Sequence, residues 1–341
     1  MKSVRFVLFL GCSLSLFAQN PKPNFDDWEN ICKETTTKPV IEPRFSGPLG
    51  PAQLAKCDSE ALYYGFGSKP DYAAALQCAW YERAHSDAVV ADMNRGVGVL
   101  TMLYANGRGT PKDIALAMRF ACEEQWAAPA EMSGRLEHLN SMKDSRSQDP
   151  PFDMCDDITS GLNMGKCTDI QQRFADVERD KKLAAITAKL TPAQRRLYDK
   201  VHAAEIDFEI TRTGSEIDLS GTAHGMFSAL DRAKLEDQFL INLQRFSKED
   251  IPEVTAADAK ELDAQMNTLY QRIMRAPENT FSLGTVKPDG IRDTQRSWLK
   301  LRDAWLEFAK SAYPRLTTDR VTAQLIRLRL NQLRLLPIDL K

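Results

Sequence analysis

Of the residue types in this 341-residue chain that carry chemistry, the cysteines are the easiest to assign a task. Beyond Cys12 they form an even set, Cys32, Cys57, Cys78, Cys122, Cys155 and Cys167, and no two of them have a C-x2-C spacing. His85, His138, His202 and His224 supply no H-x3-H spacing either, so no zinc ligand set is present and no metal is expected. Catalytic carboxylates are equally hard to pair. Asp156-Asp157 and Glu123-Glu124 are adjacent, and adjacent side chains on a helix point apart. His202-Ala203-Ala204-Glu205 lacks the second histidine of a metalloprotease helix, and His224 lies near Ser220 and Ser228 without a Gly-x-Ser-x-Gly elbow. With six thiols expected to pair, none is left as a nucleophile. These patterns point away from an enzyme and call for no cofactor.

A glycine-rich turn offers one more chemical reading. In LYANGRGTPKDIALAMRF, from Leu103, a phosphate cradle would need Gly-Lys-Ser/Thr after the glycines, and the chain instead runs Gly109-Thr110-Pro111-Lys112. A turn between two helices fits better, because a copy lies 42 residues earlier in LYYGFGSKPDYAAALQCAW. Gly65 and Gly67 correspond to Gly107 and Gly109, Asp71 to Asp113, Ala73 to Ala115 and Ala75 to Ala117. Glycines permit positive φ in such a turn, and the aspartates sit where a helix starts and can accept from its free amides. A period of this size is what stacked helix pairs leave in a sequence.

The start of the chain reads as an export signal. Lys2 and Arg5 precede an apolar run from Phe6 to Phe17 and then Ala18-Gln19, which places a signal peptide at residues 1–18. A lipid anchor at Cys12 is not expected, since Phe9 and Leu10 fit an attachment box poorly. No later stretch has the length of apolar residues that a membrane span requires. Loss of the leader leaves 43 basic against 47 acidic residues, a balance that argues against nucleic acid as a partner. A secreted or periplasmic location follows, and it is the oxidising setting in which six cysteines form three bridges. Residues 19–52 are proline-rich and read as an irregular leader tied down by Cys32, 53–142 as the repeat segment, 143–153 as a polar linker, and 154–341 as a second helical domain. Pairing among Cys32, Cys57, Cys78 and Cys122 stays open; Cys57 with Cys78 is favoured because it would tie the two helices of the first repeat.

GVGVLTMLYANGRGTPKDIALAMRF resembles the bacterial Sel-like repeat, a relative of the tetratricopeptide repeat, over roughly Cys57 to Leu139. It departs from that pattern by three residues, Thr101 to Leu103, set between Val99-Leu100 and Tyr104. The resemblance implies an α-solenoid fragment that makes protein contacts, capped by the leader, the disulfides or the following domain.

In the second half, Trp298, Leu301, Trp305, Phe308 and Ala312 step by three and four along one predicted helix that Pro314 ends, and TTDRVTAQLIRLRLNQLRLL follows as a leucine-rich helix. Tyr198, Lys200, Ala204 and Phe208 repeat Trp298, Lys300, Ala304 and Phe308 at an offset of one hundred, a pattern that leaves open an internal duplication with a degraded first copy or a set of inserted helices. This half resembles the LprI-type lysozyme inhibitors: Cys155 and Cys167, then Met266-Asn267-Thr268-Leu269-Tyr270, then Gln295-Arg296-Ser297-Trp298 leading to Arg302-Asp303-Ala304, then the leucine-rich helix. A bridge between Cys155 and Cys167 goes with it. The resemblance implies a protein partner, lysozyme, contacted by some of Gln295, Trp298, Arg302 and Asp303. Two polar loops, Thr211–Phe227 with Ser220 and His224, and Glu278–Asp293, are further contact candidates. The whole reads as an all-α protein, a short α-solenoid of helix-turn-helix repeats plus a C-terminal helical bundle. It is expected to bind protein without catalysis, either as a lysozyme inhibitor or as a repeat-based scaffold of the cell envelope.

Overall fold

The protein is described here by a computed structural model covering residues 24–37, 39–45, 47–85, 93, 95–124, 127–143, 150–281 and 284–338. The expected signal peptide and Cys12 lie outside these residues. All regular structure among them is helical.

The leader is less irregular than its prolines suggested: Trp28–Thr36 forms helix α1, started by the 3-10 turn Phe25–Asp27. Its anchor is the Cys32–Cys122 disulfide, which closes ninety residues of sequence. After the short α2 (Pro51–Leu54) come α3 (Ser59–Tyr64), α4 (Tyr72–His85), α5 (Val97–Asn106), α6 (Ile114–Ala121) and α7 (Pro129–Ser141), each of α3 to α7 packing on the next. The 42-residue period is a period of hydrogen bonds. Asp71 N donates to Leu62 O and Asp113 N to Tyr104 O, each at 2.9 Å. Asp71 Oδ1 accepts from Ala74 N at 3.0 Å, and Asp113 Oδ1 from Leu116 N at 2.9 Å. Gly65 and Gly107 hold positive φ at the corresponding helix ends, as do Gly67 and Gly109 one step on. A side chain on Gly109 would meet the Tyr72 carbonyl oxygen at 2.5 Å, so the second turn rests directly on the start of α4. Helix α5 runs unbroken through Thr101 to Leu103, so the three extra residues extend a helix and leave the turn unchanged.

The core built on these helices continues past the expected linker. Residues 144–149 of that linker lie outside the described set, but Phe152 and Met154 are buried with the repeats, and Cys167 joins them from the next helix. Asn106 pairs with the Phe152 backbone in both directions, accepting from its N at 2.8 Å and donating to its O at 2.7 Å. Gln77 treats Leu49 likewise, at 3.1 and 2.9 Å. Each amide thus reads an extended, proline-flanked strip of the protein's own chain. The fully buried Glu131 accepts from Arg135, from the Asn163 side chain and from Ser160 N, fixing the start of the following helix.

Six long helices make the second half: α8 (Gly161–Thr187), α9 (Pro192–Ser215), α10 (His224–Ser247), α11 (Ala256–Met274), α12 (Pro288–Ala312) and α13 (Thr318–Arg334). Ser160, Thr191, Thr255 and Thr317 cap four of them with side-chain oxygens, and prolines open α9 and α12, so their starts are written locally. Helix α8 runs parallel to α10: Gly161 abuts Thr222, Gly165 abuts Met226, Asp169 pairs with Arg232 and Arg179 with Glu236. Helix α11 runs beside α13 in the same sense, Ile251 O meeting Arg320 near their starts and Arg272 neighbouring Arg334 near their ends.

The seam between these two sets is the antiparallel pair α9 and α12. The sequence offset of one hundred reappears there as reciprocal contacts. Lys200 pairs with Glu307 at 3.4 Å and Lys300 with Asp207 at 4.0 Å. Gln194 donates to Ser311 O at 2.9 Å and Thr294 to Thr211 O at 3.5 Å. Each contact is its partner's image with the helices exchanged, so a pseudo-twofold axis crosses the seam near Ala204 and Ala304.

The three disulfides, Cys32–Cys122, Cys57–Cys78 and Cys155–Cys167, all lie in or beside the repeat segment. Disulfides indicate an extracellular or periplasmic setting. Cys57, Cys78 and Glu82 form the one cluster of potential metal ligands among the described residues, and its two sulfurs are bonded to each other. No helix there is long and apolar enough to cross a membrane. Chain-entropy arithmetic gives roughly 4 to 5 kcal/mol for closing the Cys32–Cys122 loop and roughly 3 kcal/mol for Cys155–Cys167. Replacing Cys32 and Cys122 by serine is therefore expected to lower the denaturation midpoint of the repeat segment more than replacing Cys155 and Cys167, measured by urea titration followed by circular dichroism.

Candidate functional site

The apolar stripe read from the sequence is the core side of α12. Trp298, Leu301, Trp305 and Phe308 are all buried, and Trp305 meets Phe239 and Phe246 of α10 with ring centroids 5.2 Å away. Trp298 is thus a core residue, only 3% exposed. The Arg302 guanidinium lies 5.6 Å from its ring and pairs with neighbouring Asp303 at 2.7 Å. Asp303 faces solvent. Gln295 is buried, and its Oε1 accepts from Arg329 Nε at 2.8 Å. Of the four motif residues, only Arg302 and Asp303 present polar groups outward.

Gln295 leads to a network that sequence reasoning missed. Arg329 of α13 and Glu216 at the end of α9 are fully buried and form a two-pronged pair, 2.6 Å from Nη2 to Oε1 and 2.8 Å from Nη1 to Oε2. Glu216 also accepts from Arg212, which grips Asp231 of α10 with two bonds of 2.9 and 3.1 Å. The visible signal was an arginine inside a leucine-rich stretch; its partner sits 113 residues away, where local pattern says nothing.

This network anchors the two polar loops. The segment taken as one loop from Thr211 to Phe227 is shorter than expected: Thr211–Ser215 completes α9 and His224 already opens α10, because Thr211, Arg212 and Thr213 continue the helical ladder. The true loop, residues 216–223, meets the second candidate loop directly. Leu219 N donates to Thr285 Oγ1 at 2.7 Å, and Thr285 N to Asp218 Oδ1 at 3.4 Å. Asp218 also accepts from Ser220 N and Ser220 Oγ, and these donors hold its carboxyl below the usual range. Gly284 lets its backbone approach the Asp218 side chain, since a Cβ there would stand 2.5 Å from Asp218 Oδ1. Phe281 and Val286 root the second loop in the core. Ser220 and His224 both face solvent. Ser220 Oγ is spent on Asp218, and His224 Nδ1 lies 2.8 Å from Gly221 O, so the two are not coupled to each other. What Asp218, Leu219, Ser220 and Thr285 offer is a hydrogen-bonded surface joining the two loops.

Gly65, Gly67, Asp71, Gly107, Gly109 and Asp113 occupy the repeat turns, far in sequence from this end. Gly67 packs on Val177 of α8, so the first turn seats the repeats on the long helices. Arg173 of α8 strengthens that seat, 3.8 Å from the Phe66 ring centroid and 2.8 Å from Glu60.

A cluster of carboxylates lies between α8, α9 and α10. Burial pushes Glu205 up to about 8, with Glu209 and Glu236 adding repulsion. Burial and then Glu236 push Glu209 up to about 7, against the pull of Arg232 and Arg179. Asp176 of α8 and Asp237 of α10 crowd the same space. Both glutamates bind protons more tightly folded than unfolded, so the stability they contribute is whole below the ordinary glutamate range and is lost as pH rises through 7 and 8. The melting temperature is expected to fall between pH 5 and pH 8.5, and Glu205→Gln to flatten that fall, both read by scanning calorimetry. Breaking the other buried pair should cost more: Glu216→Ala strands Arg329 and is expected to destabilise by about 3–5 kcal/mol. The double change Glu216→Leu with Arg329→Met should recover most of that loss in the same urea titration.

No curated protein and no solved structure matches the chain. One family model does: residues 246–336, which take in the end of α10 and all of α11, α12 and α13, match the family described as lysozyme inhibitor LprI.

Proposed function

We propose that the chain is an exported protein that binds a lysozyme-type muramidase and inhibits it. The single observation that carries this reading is the match of residues 246–336 to the lysozyme inhibitor LprI family. That family is one of inhibitors, which accords with a chain working through a contact surface. The three disulfides suit the surroundings in which such an enzyme would be met. Residues 154–245 extend the matched region by one more three-helix set, and residues 53–142 serve in this reading as a Sel-like repeat segment that steadies α8.

A scaffold reading, in which the repeats hold a partner, has less support. Gln77 and Asn106, two backbone-reading amides of the repeat helices, already hold Leu49 and Phe152 of the same chain. The test is direct. Residues 19–341, purified with their disulfides formed, are expected to suppress lysis of cell walls by lysozyme in proportion to the amount added. Undiminished lysis at large excess, together with no heat of binding by calorimetry, would refute the reading.

A further inference from the structure

The pseudo-twofold axis of the α9–α12 seam makes the two ends of the C-terminal bundle comparable, and they are not alike. At one end α8 turns into α9 in four residues, 188–191, and α12 into α13 in five, 313–317. At the other end the related connections are eight residues, 216–223, and thirteen, 275–287. Each related connection at the first end is shorter, four residues against thirteen and five against eight, so helix geometry does not demand the extra length. Thr285 ties the two loops together through Leu219 and Asp218, and Glu216 is clamped beneath them by Arg329.

Exposed apolar side chains gather at the same end. Leu162 opens α8, Phe227 and Leu230 lie in the first two turns of α10, Ile210 lies in the last two turns of α9, and Leu335 follows α13. These are five of the nine large apolar side chains exposed among the described residues, and Ile241 is the one near the opposite end. Apolar side chains left in water beside an ordered polar rim mark a surface that another protein covers.

We infer that this long-loop end, built from residues 216–223, 275–281 and 284–287 and the apolar side chains Phe227 and Leu230, is the face that grips the muramidase. The inference rests on the inhibitor reading above and adds the location of the contact. The opposite end, where the α8–α9 and α12–α13 turns are short and residues 248–255 join the two helix sets, supplies an internal control.

Calorimetric titration of lysozyme with the full oxidised chain tests it. Phe227→Glu and Ser220→Arg, both at exposed positions, are each expected to weaken binding tenfold or more. Ile241→Glu, on the same helix with 42% exposure against 49% for Phe227, is expected to stay within twofold. Circular dichroism and melting temperature check each fold, and Leu230→Glu replaces any variant that melts early. If Phe227→Glu and Ser220→Arg bind like the wild type, or Ile241→Glu weakens binding as much as they do, the location is wrong while inhibition stands. If the wild-type chain itself binds no lysozyme, the functional reading fails and this inference with it.

Discussion

The antiparallel packing of α9 on α12 is the constraint on which the second half of the molecule depends. Neither helix could hold its apolar stripe in water alone. Phe208 on one and Trp305 and Phe308 on the other fill a common core, with Tyr198 packed across the seam on Phe308. The outer helices then have little freedom. Helices α10 and α13 lie against the aromatic stripes, and α8 and α11 lie against those in turn. Because the seam has near twofold character, one good packing solution serves two sets of helices, and each set closes the apolar face that the other leaves open.

The seam also explains where charge is buried. Glu216 leaves α9 where that helix emerges beside α13, so its carboxylate enters the interior and must find a cation there. Arg329 supplies it in fork geometry, with Arg212 and Gln295 using the remaining lone pair and donor. A buried pair of this kind adds little net stability over an apolar pair, but it fixes which atoms meet. Here it fixes the height and direction of the loop that follows Glu216.

The first half solves a different problem. Two helical repeats are too few to bury both of their end faces, and the molecule caps them with what lies nearest in the chain. Helix α1 covers α6 and α7 and is stapled there by Cys32–Cys122. Helix α8 covers the first turn through Val177, Phe174 and Arg173. The strips at Leu49 and Phe152 occupy the amides of Gln77 and Asn106. The result is a segment turned inward on its own chain, with its disulfides guarding the joints.

Much of this was readable along the chain. The Trp298 to Phe308 stripe announced both a helix and the face it buries, because the period of 3.6 is written by residues three and four apart. The two glycine turns, with Asp71 and Asp113 as caps, were legible for the same reason: each is decided within about ten residues. The Cys57–Cys78 bridge was the favoured one of several open pairings, because the helices it ties adjoin in sequence. Other features lay beyond that range. The helix at Trp28–Thr36 was hidden by prolines on both sides, and the core role of Gln295 was not visible until Arg329 arrived beside it. Glu216 fell inside the Thr211–Phe227 segment read as a polar loop, because the residues around it are polar. Sequence by itself determined the helices, their caps and turns, and the cysteines that would pair, since those depend on neighbours within a few turns. Tertiary structure alone decided which ends of the helices meet, how Cys32 reaches Cys122, and that Leu219 and Asp218 meet Thr285, because those outcomes depend on helix packing across more than sixty residues.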